Sequence, residues 1–256
     1  MTRVIAVLPA RMGSSRFPGK PLAALLGRPM IEHVYRRTAA SRSVSEVIVA
    51  TCDEEIKVAV ERFGGRAVMT ASTHERASDR VAEAVRNEQA DIVVMVQGDE
   101  PMTRPEMITD AVAPMLADPM IDCVNLVAPI PNETEVLDRN TIKVVLDQRG
   151  DALFFSREVI PTMRYQAYAP GSHQKQVCVI PFRRAALERF AALTPTPLEI
   201  AESIDMLRFL EHGYSVRMVP TTVQSHAVDT PKDLKMVESL LAADPYTKTY
   251  MEGRNA

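Results

Sequence analysis

Through the first half of the chain, short unbroken apolar runs alternate with stretches whose apolar residues recur at helical spacing. Residues 4–8 are apolar at every position, which predicts a strand buried on both faces. Residues 29–38 place Met30, Ile31, Val34 and Tyr35 on one helical face. A second buried strand is predicted over 47–50. A helix from Glu54 follows, carrying Ile56, Val60 and Phe63 and stopped by Gly64-Gly65. Residues 67–70 read as a short strand, and Ser78 as the cap of a helix carrying Val81 and Val85. The strongest strand signal is the run 92–96, all Ile, Val and Met. Strands apolar on both faces, alternating with amphipathic helices, predict an α/β fold with a mostly parallel central sheet and helices on both faces. Such sheets bind ligands beyond the carboxyl ends of their strands, where residues 9–22 and Gln97-Gly98-Asp99-Glu100 fall.

Beyond Pro105, which suits the first turn of a helix carrying Ile108, Val112 and Met115, the pattern loosens. Strands are predicted over 123–128, 142–146, 153–155 and 177–180, with 164–174 an exposed loop or lid. Residues 199–212 read as one amphipathic helix with Ile200, Ile204 and Leu207 on its stripe, ended by Gly213. A strand over 216–219 and a closing helix over 231–243 complete the chain. With no repeat, low-complexity tract or linker, residues 1–256 read as a single domain.

The first strand empties at Pro9 into a loop holding Arg11, Arg16 and Lys20 among Gly13, Ser14, Ser15 and Gly19. Fixed cations with close-approaching backbone amides suit a polyanion, above all a nucleotide triphosphate; the alternative is a solvated basic loop. The loop is no Walker A motif, because five residues separate Gly13 from Gly19 and Pro21 follows Lys20; GxGxxG is also absent. Asp99, just past the best strand, is placed to meet Mg²⁺ beside a triphosphate, unless it merely enters a helix. Asp229 is the second candidate carboxylate; Asp229-Thr230-Pro231 precedes the last helix with Thr230 as its N-cap and Pro231 as its first residue, and a capping role is an equal alternative.

Pro9-Ala10-Arg11, Ser14-Ser15-Arg16 and Pro18-Gly19-Lys20-Pro21-Leu22 together resemble the opening motif of the sugar-acid cytidylyltransferases, closest to the CMP-Kdo (3-deoxy-manno-octulosonate) synthetases. Gln97-Gly98-Asp99-Glu100-Pro101 resembles that family's metal-site string, and residues 228–234 its closing motif. The resemblance covers nearly the whole chain. It implies a Rossmann-like nucleotide-diphospho-sugar transferase fold and transfer of CMP from CTP to the hydroxyl of a 2-keto-3-deoxy sugar acid, releasing pyrophosphate. Pro9, Ala10, Arg11, Ser14, Ser15, Arg16, Lys20, Arg80 and Gln97 would then hold the nucleotide. Arg11, Lys20, Asp99 and Asp229 would be catalytic, with Asp99 and Asp229 binding Mg²⁺. Arg157, Lys175, Gln176 and Glu202 are the acceptor candidates. A homodimer is also implied, with 130–185 as the acceptor-binding and contact region. Arg80 lies in Ala77-Ser78-Asp79-Arg80 where the family reads Gly-Thr-Glu-Arg; its alternative is a helix-face arginine paired with Asp79 or Glu83.

The match departs on the acceptor side. Residues 175–183 stand where the resembling enzymes read Arg-His-Leu-Gly-Ile-Tyr-Gly-Tyr-Arg, so Gln176 replaces the sugar-site histidine. Residues 204–208 replace Leu-Glu-Gln-Leu-Arg, so Met206 lacks the glutamine's hydrogen bonds. These changes keep open two other readings: the same transfer onto another acid (an amino-substituted analogue, another keto acid or a phosphonate), and a nucleotide-binding module without turnover.

A net charge of −3 argues against a general nucleic-acid binder. Cys52, Cys123 and Cys178, each beside an apolar run, read as buried thiols. His33 and His74 read as polar or satisfied side chains, and no Ser-His-Asp arrangement exists. No apolar run approaches the ~18 residues of a membrane span, and no signal-peptide pattern precedes the first strand, so a cytoplasmic enzyme is expected.

Overall fold

The computed structural model describes residues 2–13, 16–223 and 226–251. Strand β1 (Val4–Ala10) leads through the basic loop into a 3₁₀ turn (Lys20–Leu22), the short hairpin β2 (Ala24–Leu25) and β3 (Arg28–Pro29), and helix α1 (Met30–Ala39). Then come β4 (Glu46–Thr51), α2 (Glu54–Arg62), β5 (Arg66–Met69), α3 (Ala77–Ala84), β6 (Ile92–Val96) and α4 (Pro105–Ala117). The second half runs β7 (Val124–Pro129), α5 (Glu133–Leu137), β8 (Lys143–Leu146), β9 (Ala152–Ser156), β10 (Gln174–Val177) and β11 (Val179–Arg183). It closes with α6 (Arg184–Ala192), α7 (Pro197–Glu202), α8 (Met206–Glu211), β12 (Arg217–Pro220), α9 (Pro231–Ala243) and α10 (Pro245–Met251).

The principal sheet has the order β11-β6-β1-β4-β5, parallel except for β11. Its apolar runs are continuous because each strand feeds two cores. Ile5, Val7, Ile48, Ala50, Val93 and Met95 enter one layer, while Val4, Ala6, Leu8, Val47, Val49, Ile92, Val94 and Val96 enter the other. The α/β fold with a mostly parallel central sheet is therefore present, and a second sheet accompanies it. That sheet has the order β12-β7-β10-β8-β9 and is antiparallel except for the β12–β7 pair.

The structure corrects several expectations. The single strand over 177–180 is two, because the chain leaves the second sheet at Val177 and joins the first at Val179. At the crossing, the Cys178 carbonyl accepts the Gln97 amide at 3.2 Å. The single helix over 199–212 is also two, broken where Ser203 takes φ 54 and ψ 50. Ser78 does not cap α3: it lies inside the first turn and its hydroxyl donates to Asp205 at 2.7 Å. The stretch 164–174 is only partly a free loop, since Tyr168 donates to the Ile130 carbonyl at 3.0 Å, His173 is buried, and Gln174 already belongs to β10. Of the thiols, Cys123 is buried, with a pKa pushed well up by that burial, whereas Cys52 and Cys178 are half-buried. No helix among the described residues is long and apolar enough to cross a membrane.

The closing helices clasp α1 through charge. Arg37 is fully buried, with its guanidinium on the Asp244 carboxylate, on Thr247 Oγ1 at 2.8 Å, and 5.1 Å from the Tyr246 ring. Burial alone would raise the Asp244 pKa, but the Arg37 hydrogen bond and charge outweigh it and hold the carboxyl below 3.8. The pair's contribution is therefore present above pH 3.8 and is lost as pH falls through the depressed folded value. Asp244→Asn should cost about 3 kcal/mol at pH 7, because it strands a buried guanidinium. Urea unfolding over a series from pH 7 downward checks both points: the wild type and variant should differ clearly at pH 7, and the difference should shrink only below pH 3.8.

Candidate active site

A cavity of about 400 Å³ opens beyond the carboxyl ends of β1 and β6, where a parallel sheet places its ligands. Pro9, Ala10 and Arg11 form one wall, and Gln97 with Gly98 another. Gly98 is required by closeness: a Cβ there would lie 2.8 Å from the Pro9 carbonyl oxygen. Arg11, Arg16, Lys20 and Arg80 all line this space, so the loop cations and the α3 arginine meet although the chain separates them by up to 69 positions (80 − 11). Ser14 and Ser15 lie outside the described residues.

Lys20 is the point of convergence. Gly19, at φ 73, turns the chain and sends its amide back to the Met12 carbonyl at 3.0 Å. The Lys20 ammonium then donates to Asp99 Oδ2 at 2.7 Å, Asp229 Oδ1 at 3.2 Å and the Val228 carbonyl at 2.9 Å. Burial would depress its pKa; the charges and hydrogen bonds of Asp99, then of Asp229, more than offset that and raise it above 10.5. Arg16 adds a second tie, to Asp229 at 3.0 Å and to Asn140 Oδ1 at 2.6 Å. Two carboxylates from distant parts of the chain thus share one cation. Their donor set is oxygen only, and two such carboxylates are as many as Mg²⁺ needs from a protein when phosphates and water supply the rest. Among the described residues, no group of three or more His, Cys, Asp or Glu side chains is arranged to hold an ion.

The alternatives for Asp229 separate in the structure. Thr230 is the N-cap of α9, accepting from the Asp233 amide at 3.3 Å while Asp233 accepts from the Thr230 amide at 2.8 Å, with Pro231 in the first turn. Capping is therefore done by Thr230 and Asp233, and the Asp229 carboxylate faces Arg16 and Lys20. Arg80 separates just as clearly. Asp79 pairs with Arg208 at 2.9 Å and Glu83 contacts His74, so Arg80 has neither proposed partner. It is buried, donates from Nη1 to Thr70 Oγ1 at 2.5 Å, and its Nη2 has no hydrogen-bond partner. An unsatisfied buried guanidinium nitrogen in a cavity wall is a ready donor to a ligand. His33 is a satisfied core histidine held by the Tyr250 hydroxyl and the Leu25 carbonyl, each at 2.8 Å, and burial lowers its pKa.

The structure brings together only two of the four acceptor candidates, Arg157 and Glu202 at the end of β9. Lys175 and Gln176 lie side by side in β10, face opposite ways and pair elsewhere. Glu202 accepts from Ser156 Oγ and the Arg157 amide, both at 2.8 Å. The Arg157 guanidinium donates to the carbonyls of Glu202, Arg139 and Ser203. Lys175 pairs with Glu135 at 2.5 Å, and Gln176 donates to Asn125 Oδ1 at 2.5 Å. Met206 requires a correction: it is fully buried among Leu207 and Phe209 in the apolar core, so no polar partner is lost there.

Two contributors, Asp53 and Lys143, were not among the site residues expected from the sequence. Asp53 holds the N-cap position of α2 without a side-chain capping bond, and its Oδ2 accepts the Met12 amide at 2.8 Å and so shapes the basic loop. Lys143 is fully buried, its ammonium shared by the carbonyls of Asp138, Thr141 and Arg157 at 2.9, 2.8 and 2.6 Å. It pins the turn that presents Asn140 to Arg16, and burial lowers its pKa.

A family model described as cytidylyltransferase matches residues 5–222. The chain belongs to the cytidylyltransferase family. It is 47% identical over 248 residues to 3-deoxy-manno-octulosonate cytidylyltransferase of Geobacter metallireducens, covering 93% of this chain and 98% of the relative. The same named protein of Syntrophus aciditrophicus is 43% identical, over 94% of this chain and 98% of its own. A solved structure of CMP:2-keto-3-deoxy-manno-octonic acid synthetase complexed with CTP matches with a TM-score of 0.88 at 39% identity, covering 94% of this chain and 99% of that one. This cytidylyltransferase therefore has the nucleotide-diphospho-sugar transferase architecture that its opening motif implied.

Proposed function

We propose that this cytidylyltransferase moves CMP from CTP onto the hydroxyl of 3-deoxy-manno-octulosonate, a 2-keto-3-deoxy sugar acid. The observation that carries this reading is the meeting of Asp99, Asp229 and Lys20 at the cavity beyond β1 and β6. The acceptor oxygen forms a bond to the α-phosphorus as the bond to the leaving pyrophosphate breaks, and the hydroxyl proton passes to solvent. Arg11, Arg16 and Lys20 face the charge that builds on the departing phosphates, where preformed cations in a partly enclosed site act most strongly. Arg80, through its unpartnered nitrogen, and Gln97 hold the nucleotide, with Pro9 and Ala10 providing the strand-end backbone against which it rests.

Asp99 and Asp229 would hold Mg²⁺. When bound, that ion supplies Lewis-acid polarisation of phosphate and lowers the pKa of an attacking hydroxyl. The Lys20 ammonium contacts both carboxylates, which offsets their mutual repulsion. Arg157 and Lys175, with Gln176 and Glu202, serve the acceptor's carboxylate and hydroxyls. The homodimer expected of such enzymes would use the free edge of the second sheet, where β9 exposes Leu153; a sedimentation mass of one chain would refute it.

One observation favours a second acceptor. Gln176, standing where the resembling enzymes have histidine, is engaged by Asn125 at 2.5 Å, so the sugar meets an amide pair in place of an imidazole. Pyrophosphate release measured with CTP, Mg²⁺ and a panel of acids decides between them. The octulosonate should be the best substrate. A preference for its 8-amino analogue or for a phosphonate would move the acceptor assignment, and no release with any acid would refute the transfer.

A further inference from the structure

The elbow between α7 and α8 is where the wall of the nucleotide cavity meets the Arg157–Glu202 cluster. At its centre is Ser203, exposed to solvent and held at φ 54 and ψ 50, a left-handed conformation that residues other than glycine seldom adopt. Two guanidinium groups reach this one residue from opposite sides. Arg76, which lines the cavity, donates from Nη1 to Ser203 Oγ at 2.7 Å and from Nη2 to the Glu199 carbonyl at 3.5 Å. Its Nε lies 3.6 Å from the fully buried Glu199 carboxylate and 3.9 Å from that of Asp205. From the second sheet, Arg157 donates from Nη2 to the Ser203 carbonyl at 3.3 Å and from Nε to the Glu202 carbonyl at 2.7 Å.

The carboxylates flanking Ser203 repeat the division. Glu202 turns toward the end of β9, taking the Ser156 hydroxyl and the Arg157 amide. Asp205 turns the other way, taking the hydroxyl and the amide of Ser78 in the first turn of α3, three and two residues from the cavity-lining Glu75 and Arg76. Residues 202–205 therefore staple the loop before α3 to the end of β9. A two-substrate transfer needs this kind of reference between its subsites, because misplacing one reactant by about 1 Å can cost two orders of magnitude in rate.

We propose that Arg76 and Ser203 are positioning residues for the transfer: through the elbow they set where Arg157, on the acceptor side, stands relative to the nucleotide cavity. The proposal rests on the acceptor-side assignment of Arg157 made above. Glycine accepts φ 54 without strain, so Ser203→Gly removes the hydroxyl that Arg76 uses while sparing the backbone. Arg76→Met removes the guanidinium and keeps an apolar stem.

Pyrophosphate release is followed for the wild type, both variants and the double variant, with CTP, Mg²⁺ and the octulosonate. Ser203→Gly and Arg76→Met should each raise the KM for the acid roughly ten-fold, the loss of one charge-assisted hydrogen bond. Ser203→Gly should change the KM for CTP less than about two-fold, and the double variant should be no worse than the weaker single. A general loss of structure would move both KM values and the melting temperature together. Wild-type kinetics in Ser203→Gly, equal rises in both KM values, or additive losses would each overturn the proposal. Hydrogen exchange gives a readout independent of the acceptor: CTP with Mg²⁺ should slow exchange across residues 202–205 in the wild type and fail to do so in Ser203→Gly. If the wild type releases no pyrophosphate with any acid, the proposed function falls and the exchange result alone decides the elbow's role. The same protection in both proteins would then refute it.

Discussion

Asp99→Asn will lower kcat by about 10³-fold, about 4 kcal/mol of transition-state stabilisation, while leaving the fold intact. The carboxylate stands three residues past β6, directly after a glycine that lets this loop pass close to the Pro9 carbonyl, so its backbone place does not depend on its charge. The Val228 amide bonds to the Asp99 carbonyl at 2.9 Å, and that tie survives the substitution. What is lost is one of the two anionic ligands on which the proposed ion depends, and a neutral amide is a much poorer oxygen donor to it. The ion pair with Lys20 is only partly buried, so its loss should change stability by less than about 1 kcal/mol. Steady-state assay combined with urea unfolding reads both quantities. Near-normal turnover in a folded variant would show that Asp99 is not a ligand of the reaction's metal.

Lys20→Ala should act on the nucleotide and spare the acceptor. The KM for CTP should rise about 10²-fold, the upper range for a charge-assisted hydrogen bond to phosphate, with the acceptor's KM within about three-fold of wild type. Removing the ammonium also leaves Asp99 and Asp229 facing each other without a cation, so Mg²⁺ should bind the nucleotide-free variant more tightly than the nucleotide-free wild type. Titration of Mg²⁺ by calorimetry tests that second consequence without any turnover. Equal weakening of both substrates, or unchanged Mg²⁺ affinity, would count against Lys20 as the group that links the carboxylates to the triphosphate.

The strands of the principal sheet were legible because burial on both faces leaves an unmistakable mark: β1, β4 and β6 are unbroken apolar runs whose alternate residues enter different cores. Helices with local signals, a periodic face and a glycine stop in α2 and a Thr-Pro start in α9, were legible for the same kind of local reason. Elements whose boundaries depend on distant partners were misread. Val177 and Val179 look like one strand until Cys178 is seen carrying the chain between two sheets, and residues 199–212 look like one helix until Ser203 is seen held by arginines from 127 and 46 positions away. Met206 read as a missing polar ligand, but packing had made that position core.

Sequence alone determined the α/β class, the location of the basic loop at a strand end, and the identity of the residues worth watching, because each rests on neighbours within a few positions. Only the tertiary structure decided which of them meet. That Asp99 and Asp229 share the Lys20 ammonium, and that Arg80 lacks the partners its own helix offers, are facts of three-dimensional proximity across as many as 209 positions. Periodicity carries no information at that range: burial pattern encodes which face a residue occupies, whereas the pairing of charges depends on where packing brings those faces together.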